Sequence, residues 1–181
     1  FLLKNQNQTI EECYKTLDLI KRRADSAGLG TVAYISMAFG NPYGDPWHET
    51  EVLEAMNKLV RLGIGSISLA DTVGTAASDL IRRVFELATS QEPSCDLGVH
   101  LHSAPSEAEA KLIAAYDAGC RRFDSAIGGL GGCPFAQDAL VGNIPTESVI
   151  TALQPRGVTM PISKSLDTVL ALNSEIASRY A

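Results

Sequence analysis

Apolar and polar positions alternate along the chain in two rhythms. Over "TIEECYKTLDLIKRRADSAG", Ile10, Cys13, Leu17, Ile20 and Ala24 recur every three or four residues, the stripe of an amphipathic helix. Thr9 and Glu12 have the spacing of a capping box, and Gly28 marks the helix end. The run 31–39, "TVAYISMAF", is β-branched and aromatic and predicts a strand. A turn-rich "GNPYGDPW" follows at 40–47. The pattern then repeats: a helix over "ETEVLEAMNKLVRLG", a strand over 66–72 ("SISLADT"), a helix over 76–90 and a strand over 97–103 ("LGVHLHS"). "PSEAEAKLIAAYDAG" predicts a helix with Pro105 at its first position and Gly119 at its end. A strand over 121–129 runs into "GGLGGCPFAQ". A helix over "TESVITALQPRG", a short strand "VTMPIS" at 158–163 and a last helix from Ser165 complete the chain.

Strands alternating with helices imply βαβ units and a parallel sheet. The strands read as apolar on both faces, as buried parallel strands do. Neither GxGxxG nor a Walker A sequence follows a strand, which disfavours a nucleotide-binding doubly wound fold. The count is five strands and six helices, and the first helix lacks a strand before it. A (β/α)₈ barrel needs eight strands and typically about 250 residues; this chain has 181. The expected fold is therefore α/β, about the last five β/α units of a (β/α)₈ TIM barrel. Residues 1–181 are expected to form one domain, the C-terminal part of that barrel.

Composition narrows the function. Hydrophobic content of 45% and charged content of 20% are those of an ordinary globular protein. A net charge of −6 without a Lys/Arg cluster argues against nucleic acid and against a membrane surface as partner. No apolar run is long enough to span a bilayer, and "FLLKNQNQ" is too short and too polar for a signal peptide. A cytoplasmic location is the default expectation. Cys13, Cys95, Cys120 and Cys133 form no CxxC pair and are expected to stay reduced.

Several polar residues fall at predicted strand ends, the active-site end of a barrel. His100 and His102, two apart, place both imidazoles on one face, a pairing suited to a divalent metal; they also suit an ordinary polar strand end. Asp71 closes its strand either as an active-site carboxylate or as a cap for the next helix. Ser36 and Met37 can line the same mouth. Asp124 suits a buried carboxylate satisfied by neighbouring backbone. His48, beside a helix start, is expected to have no catalytic role. Cys13, Cys95 and Cys120 occupy places usual for an inert thiol. Cys133 follows a Gly-rich loop at a strand's active-site end, where a thiol serves as nucleophile or general acid/base. Asn143 offers an amide oxygen, a hard ligand for Mg²⁺ or Mn²⁺.

Taken together, "VAYISMAFGNPYGD", "SISLADTVG", "GVHLHS", "DSAIGGLGGCPFA" and "GNIPTE" resemble the 3-hydroxy-3-methylglutaryl-CoA lyase family, metal-dependent TIM-barrel lyases, over essentially the whole chain. The GLGGCP loop is the most specific element, because related condensing enzymes lack its cysteine. The resemblance implies cleavage of 3-hydroxy-3-methylglutaryl-CoA, an acyl-CoA substrate, to acetyl-CoA and acetoacetate. It implies His100, His102 and Asn143 as ligands of a divalent metal, Mg²⁺ or Mn²⁺, with His100 also close to the proton transfers. It implies Cys133 as general acid/base at the enolate and Asp71 as a carboxylate assisting the proton shuttle. A homodimer is compatible with the family. Ser103, Ala104 and Pro105 stand where the family commonly has Asp-Thr-Tyr, and Asn41-Pro42 where its commonest members have Cys-Pro; both mark a divergent branch. The Arg and Asp of the family's first strand and the Glu of its second have no counterpart, so the chain reads as a fragment or truncated remnant, expected to be inactive or nearly so alone unless a second chain supplies the missing strands. The alternatives are an HxH barrel aldolase, a condensing enzyme of isopropylmalate or homocitrate synthase type, and a non-catalytic remnant.

Overall fold

Four parallel strands lie side by side in chain order: β1 (Val32–Ile35), β2 (Ser66–Asp71), β3 (Asp96–Ser103) and β4 (Arg122–Asp124). The computed structural model describes residues 2–131, 141–162 and 164–180. Helices α3 (Glu49–Arg61), α4 (Ser78–Gln91) and α5 (Pro105–Asp117) connect the strands. A short α1 (Leu2–Asn5) and α2 (Ile10–Ser26) precede β1. A two-residue β5 (Gly142–Asn143), α6 (Thr146–Leu153) and α7 (Asp167–Tyr180) follow. β5 runs antiparallel to the end of β3, pairing Asn143 with His102.

Local signals set the helix starts. The Thr9 backbone N–H donates to Glu12 at 2.8 Å and the Glu12 N–H donates to Thr9 Oγ1 at 3.2 Å, closing the capping box. Pro105 opens α5. Ser165 Oγ accepts from the Asp167 N–H at 3.1 Å, so α7 begins two residues later than its first predicted residue.

The two faces of the sheet differ. Toward the helices, Ile67, Leu69, Val99 and Leu101 are buried with Met56, Ile81, Val84, Phe85 and Leu112. Each such side chain contributes roughly 1.5–3 kcal/mol over its exposed state. The other face carries Ser68, His100, His102, Arg122 and Asp124. The expectation of strands apolar on both faces therefore holds only on the helix side. A barrel lumen at its active-site end hosts chemistry and so takes polar residues.

Three strand expectations change. β1 ends at Ile35 because Met37 adopts a left-handed φ of 58°, turning the chain inward. β4 stops at Asp124, and Ile127–Gly129 form a 3₁₀ turn with Gly128 and Gly129 at positive φ. Over 158–162 there is no strand, although Val158 and Met160 pack against the core. The apolar stripe of α2 is also less buried than its pattern implies. Ile10 is 44% and Ile20 52% exposed, beside an edge strand whose Val32 is 50% exposed. Among the described residues the sheet does not close on itself.

Candidate active site

The C-terminal ends of β2 and β3 meet β5, and there His102 is almost fully enclosed, at 5% exposure. Its Nδ1 lies 3.1 Å from the Asp71 carbonyl and 3.0 Å from the Thr72 carbonyl. Carbonyls only accept, so Nδ1 carries a proton, and in the neutral imidazole Nε2 is then the nitrogen with the lone pair. That Nε2 faces Asn143 Oδ1 at 3.1 Å. The amide orientation is fixed independently, because Asn143 Nδ2 donates to the Leu130 carbonyl at 3.2 Å. Asn143 Oδ1 can only accept, so the contact calls for a proton or a cation between the two atoms. An octahedral ion with bonds near 2.1 Å sets adjacent ligands about 3.0 Å apart, which the pair fits.

His100 stands on the same face, its ring edge-on to His102 with centroids 5.1 Å apart. Burial lowers its pKa, the neighbouring His102 adds to this, and Asp124 opposes it. Asp124 Oδ2 is 3.8 Å from His100 Nδ1, ion-pair range rather than a hydrogen bond. The expectation that neighbouring backbone satisfies Asp124 gives way to a side-chain network: Ser68 Oγ donates to Asp124 at 3.1 Å. Arg122 Nη1 donates to Ser68 Oγ at 2.8 Å, and Nη2 donates to the carbonyls of Ile67 at 2.9 Å and Asp96 at 3.0 Å. Tyr34 meets the edge of His100 with centroids 5.7 Å apart. Burial pushes its hydroxyl above the usual tyrosine range, and Asp124 pushes it further.

Asp71 turns away from this face. It is 2% exposed, and both carboxylate oxygens are engaged. Oδ1 accepts from Thr75 N–H at 3.1 Å; Oδ2 accepts from Ala76 N–H at 3.1 Å and from Lys111 Nζ at 3.1 Å. The carboxylate pins the loop before α4, close to the capping role, while its backbone carbonyl orients His102. His48 caps α3, its Nδ1 accepting from Thr50 N–H at 3.3 Å. Cys120 is fully buried and its thiol is pushed up to about 12, mainly by burial. Burial raises Cys13 and Cys95 as well, as inert thiols require.

Cys133 lies outside the described residues. The loop glycines before it have a role of their own. Gly128, Gly129 and Gly131 all take positive φ, which other residues rarely adopt. A Cβ on Gly129 would lie 3.0 Å from the Asn143 carbonyl, and one on Gly131 would lie 3.3 Å from Asn143 Nδ2. Gly129 and Gly131 thus form the bed on which Asn143 is held. Lys111 is the site residue that sequence reasoning passed over, although a lysine among the alanines and leucine of α5's buried stripe was a visible signal. Among the described residues, no group of three or more His, Cys, Asp or Glu is arranged to hold a metal. No helix among those residues is long and apolar enough to cross a membrane.

The HMGL-like family model matches residues 2–174. The mitochondrial hydroxymethylglutaryl-CoA lyase of Pongo abelii is 35% identical over 187 residues, covering 100% of this chain and 57% of that protein. The HMG-CoA lyase structure from Bacillus subtilis superposes with a TM-score of 0.87 at 30% identity, covering 98% of this chain and 58% of that one. An HMG-CoA lyase from Acinetobacter baumannii, solved with coenzyme A and 3-methylmalate, gives 0.83 at 31% identity, with 97% and 56% covered. The chain thus spans less than three-fifths of the length of these relatives.

Proposed function

Because the chain belongs to the HMGL-like family, we propose that it carries the metal-binding and proton-transfer portion of a hydroxymethylglutaryl-CoA lyase. The reaction is cleavage of 3-hydroxy-3-methylglutaryl-CoA to acetyl-CoA and acetoacetate. The observation that carries this reading is the His102 Nε2–Asn143 Oδ1 pair, 3.1 Å apart beside His100. The lyase relative solved with coenzyme A supports an acyl-CoA as the substrate class.

His102, Asn143 and His100 would hold the divalent cation, Mg²⁺ or Mn²⁺. When bound, that ion supplies a Lewis acid that acidifies the substrate's tertiary hydroxyl and orients its oxygens. The protein's own residues do the rest. His100 stands at the mouth close to the proton transfers, with the Asp124 carboxylate 3.8 Å from its Nδ1 to take the hydroxyl proton. The O–H electron pair becomes the ketone of acetoacetate as the C2–C3 bond breaks. The C2–C3 pair passes into the thioester enolate, and a proton delivered to C2 gives acetyl-CoA. Cys133 is proposed as that donor on the strength of the GLGGCP resemblance. Asp71 acts at one remove, through the carbonyl that fixes the His102 tautomer.

The test is turnover of 3-hydroxy-3-methylglutaryl-CoA with Mg²⁺ by this chain and by the full natural chain that carries it. Activity confined to the longer chain supports the reading and shows that residues beyond this segment are essential. Activity in neither overturns it.

A further inference from the structure

Lys111 sits on the buried stripe of α5, 2% exposed. A lysine is rarely enclosed unless it is paired. Its ammonium has three protons and meets three acceptors: the Gly74 carbonyl at 2.7 Å, Asp71 Oδ2 at 3.1 Å and the His102 carbonyl at 3.2 Å. Glu107, mostly exposed, comes no nearer than 4.0 Å. The three partners belong to three segments: the end of β2, the loop that follows it, and the end of β3.

These segments build the surroundings of His102. The carbonyls of Asp71 and Thr72, in the segment Lys111 ties down, accept the His102 Nδ1 proton. Gly74 in the same loop, at φ +71°, lies against the approach to β5. A Cβ there would come within 2.3 Å of Val141 Cγ1, two residues before Asn143. The loop is therefore wedged between the strand that carries His102 and the strand that carries Asn143, and Lys111 is the charge that fixes it. A space-filling role needs no ammonium; a side chain as long as methionine would serve.

We propose that Lys111 is a positioning residue of the metal centre, holding His102 and Asn143 at the spacing a divalent cation requires. This rests on the reading of that pair as metal ligands. Partners that orient metal ligands typically change affinity by about 10–100-fold when removed.

The experiment measures Mn²⁺ binding by the electron paramagnetic resonance of the free ion, with thermal melting in parallel, on the full natural chain. Lys111→Met removes the ammonium and strands the Asp71 carboxylate. Lys111→Met with Asp71→Asn removes both charges and relieves that penalty. The expected result is Mn²⁺ affinity lower by about 10–100-fold in both variants, with the larger loss of melting temperature in the single one. Unchanged affinity in either folded variant overturns the proposal. So does a double variant that cannot fold, since Lys111 would then be scaffold alone. Wild-type protein that binds no Mn²⁺, or a His102→Ala variant that binds it as wild type does, overturns the metal reading itself.

Discussion

Gly98→Ala is a one-carbon change on β3 whose cost can be worked out from its neighbours. Gly98 pairs in register with Arg122 on β4, and the Arg122 side chain folds back across it toward β2. An added Cβ would lie 2.7 Å from the guanidinium carbon and 2.9 Å from the Arg122 carbonyl oxygen. The guanidinium can swing away, but it then loses its bonds to Ser68, Ile67 and Asp96. The carbonyl belongs to the strand pairing and moves only if β3 and β4 separate. Overpacking of this kind costs about 1–3 kcal/mol. Net charged hydrogen bonds are worth about 1.5–3 kcal/mol each. The arginine side chain keeps 26% of its exposure, so water recovers much of the second cost. The sum is roughly 2–4 kcal/mol, or a fall of about 4–16 °C in melting temperature for a domain of this size. Thermal denaturation followed by circular dichroism measures it. Gly98→Ala in an Arg122→Ala background separates the two clashes: the carbonyl cost persists and the guanidinium cost vanishes. A single variant that melts with the wild type would refute the close-approach argument.

Further outcomes follow from the site and its titrating groups. Cys133→Ser should lower turnover of 3-hydroxy-3-methylglutaryl-CoA by at least about 10²-fold, the low end for loss of a general acid/base; near-normal steady-state rates would remove Cys133 from the chemistry. Asn143→Ala should weaken Mn²⁺ binding at least about tenfold in a metal titration, and an unaltered isotherm would exclude the amide as a ligand. Burial lifts Cys120 from 9.0 to about 12. Above pH 9 the unfolded chain therefore loses this proton first, and stability falls as pH rises, by at most about 1.4 kcal/mol per unit from this thiol. Cys120→Ala should flatten that alkaline limb in denaturant melts. Burial holds His100 below its ordinary 6.5, so on acidification the unfolded chain gains the proton first. Stability should fall as pH drops below that value, and a metal-free His100→Ala protein showing the same acid limb would refute the assignment.

What the sequence determined by itself is what neighbours in the chain can settle. The capping box of Thr9 and Glu12, the alternation of helices with strands, and the shared face of His100 and His102 all arise from backbone geometry within a few residues. The family motifs are local runs of the same kind. Where local preference met a global demand, the reading slipped. "TVAYISMAF" favours a strand throughout, but Met37 turns so that its N–H can reach Thr72 at 2.9 Å. "VTMPIS" has β-rich composition, but over 158–162 no strand forms, and none among the described residues pairs with it. Only the tertiary structure decided the rest, because its contacts join residues far apart in the chain. His102 and Asn143 are separated by 41 positions, Lys111 and Asp71 by 40, and Ser68 and Asp124 by 56. No periodicity encodes such pairs. They exist because parallel strands, crossed over by helices, bring one end of each strand to a common rim. The same geometry gave Asp71 a buried ammonium as its partner and left Asp124 as the carboxylate beside His100.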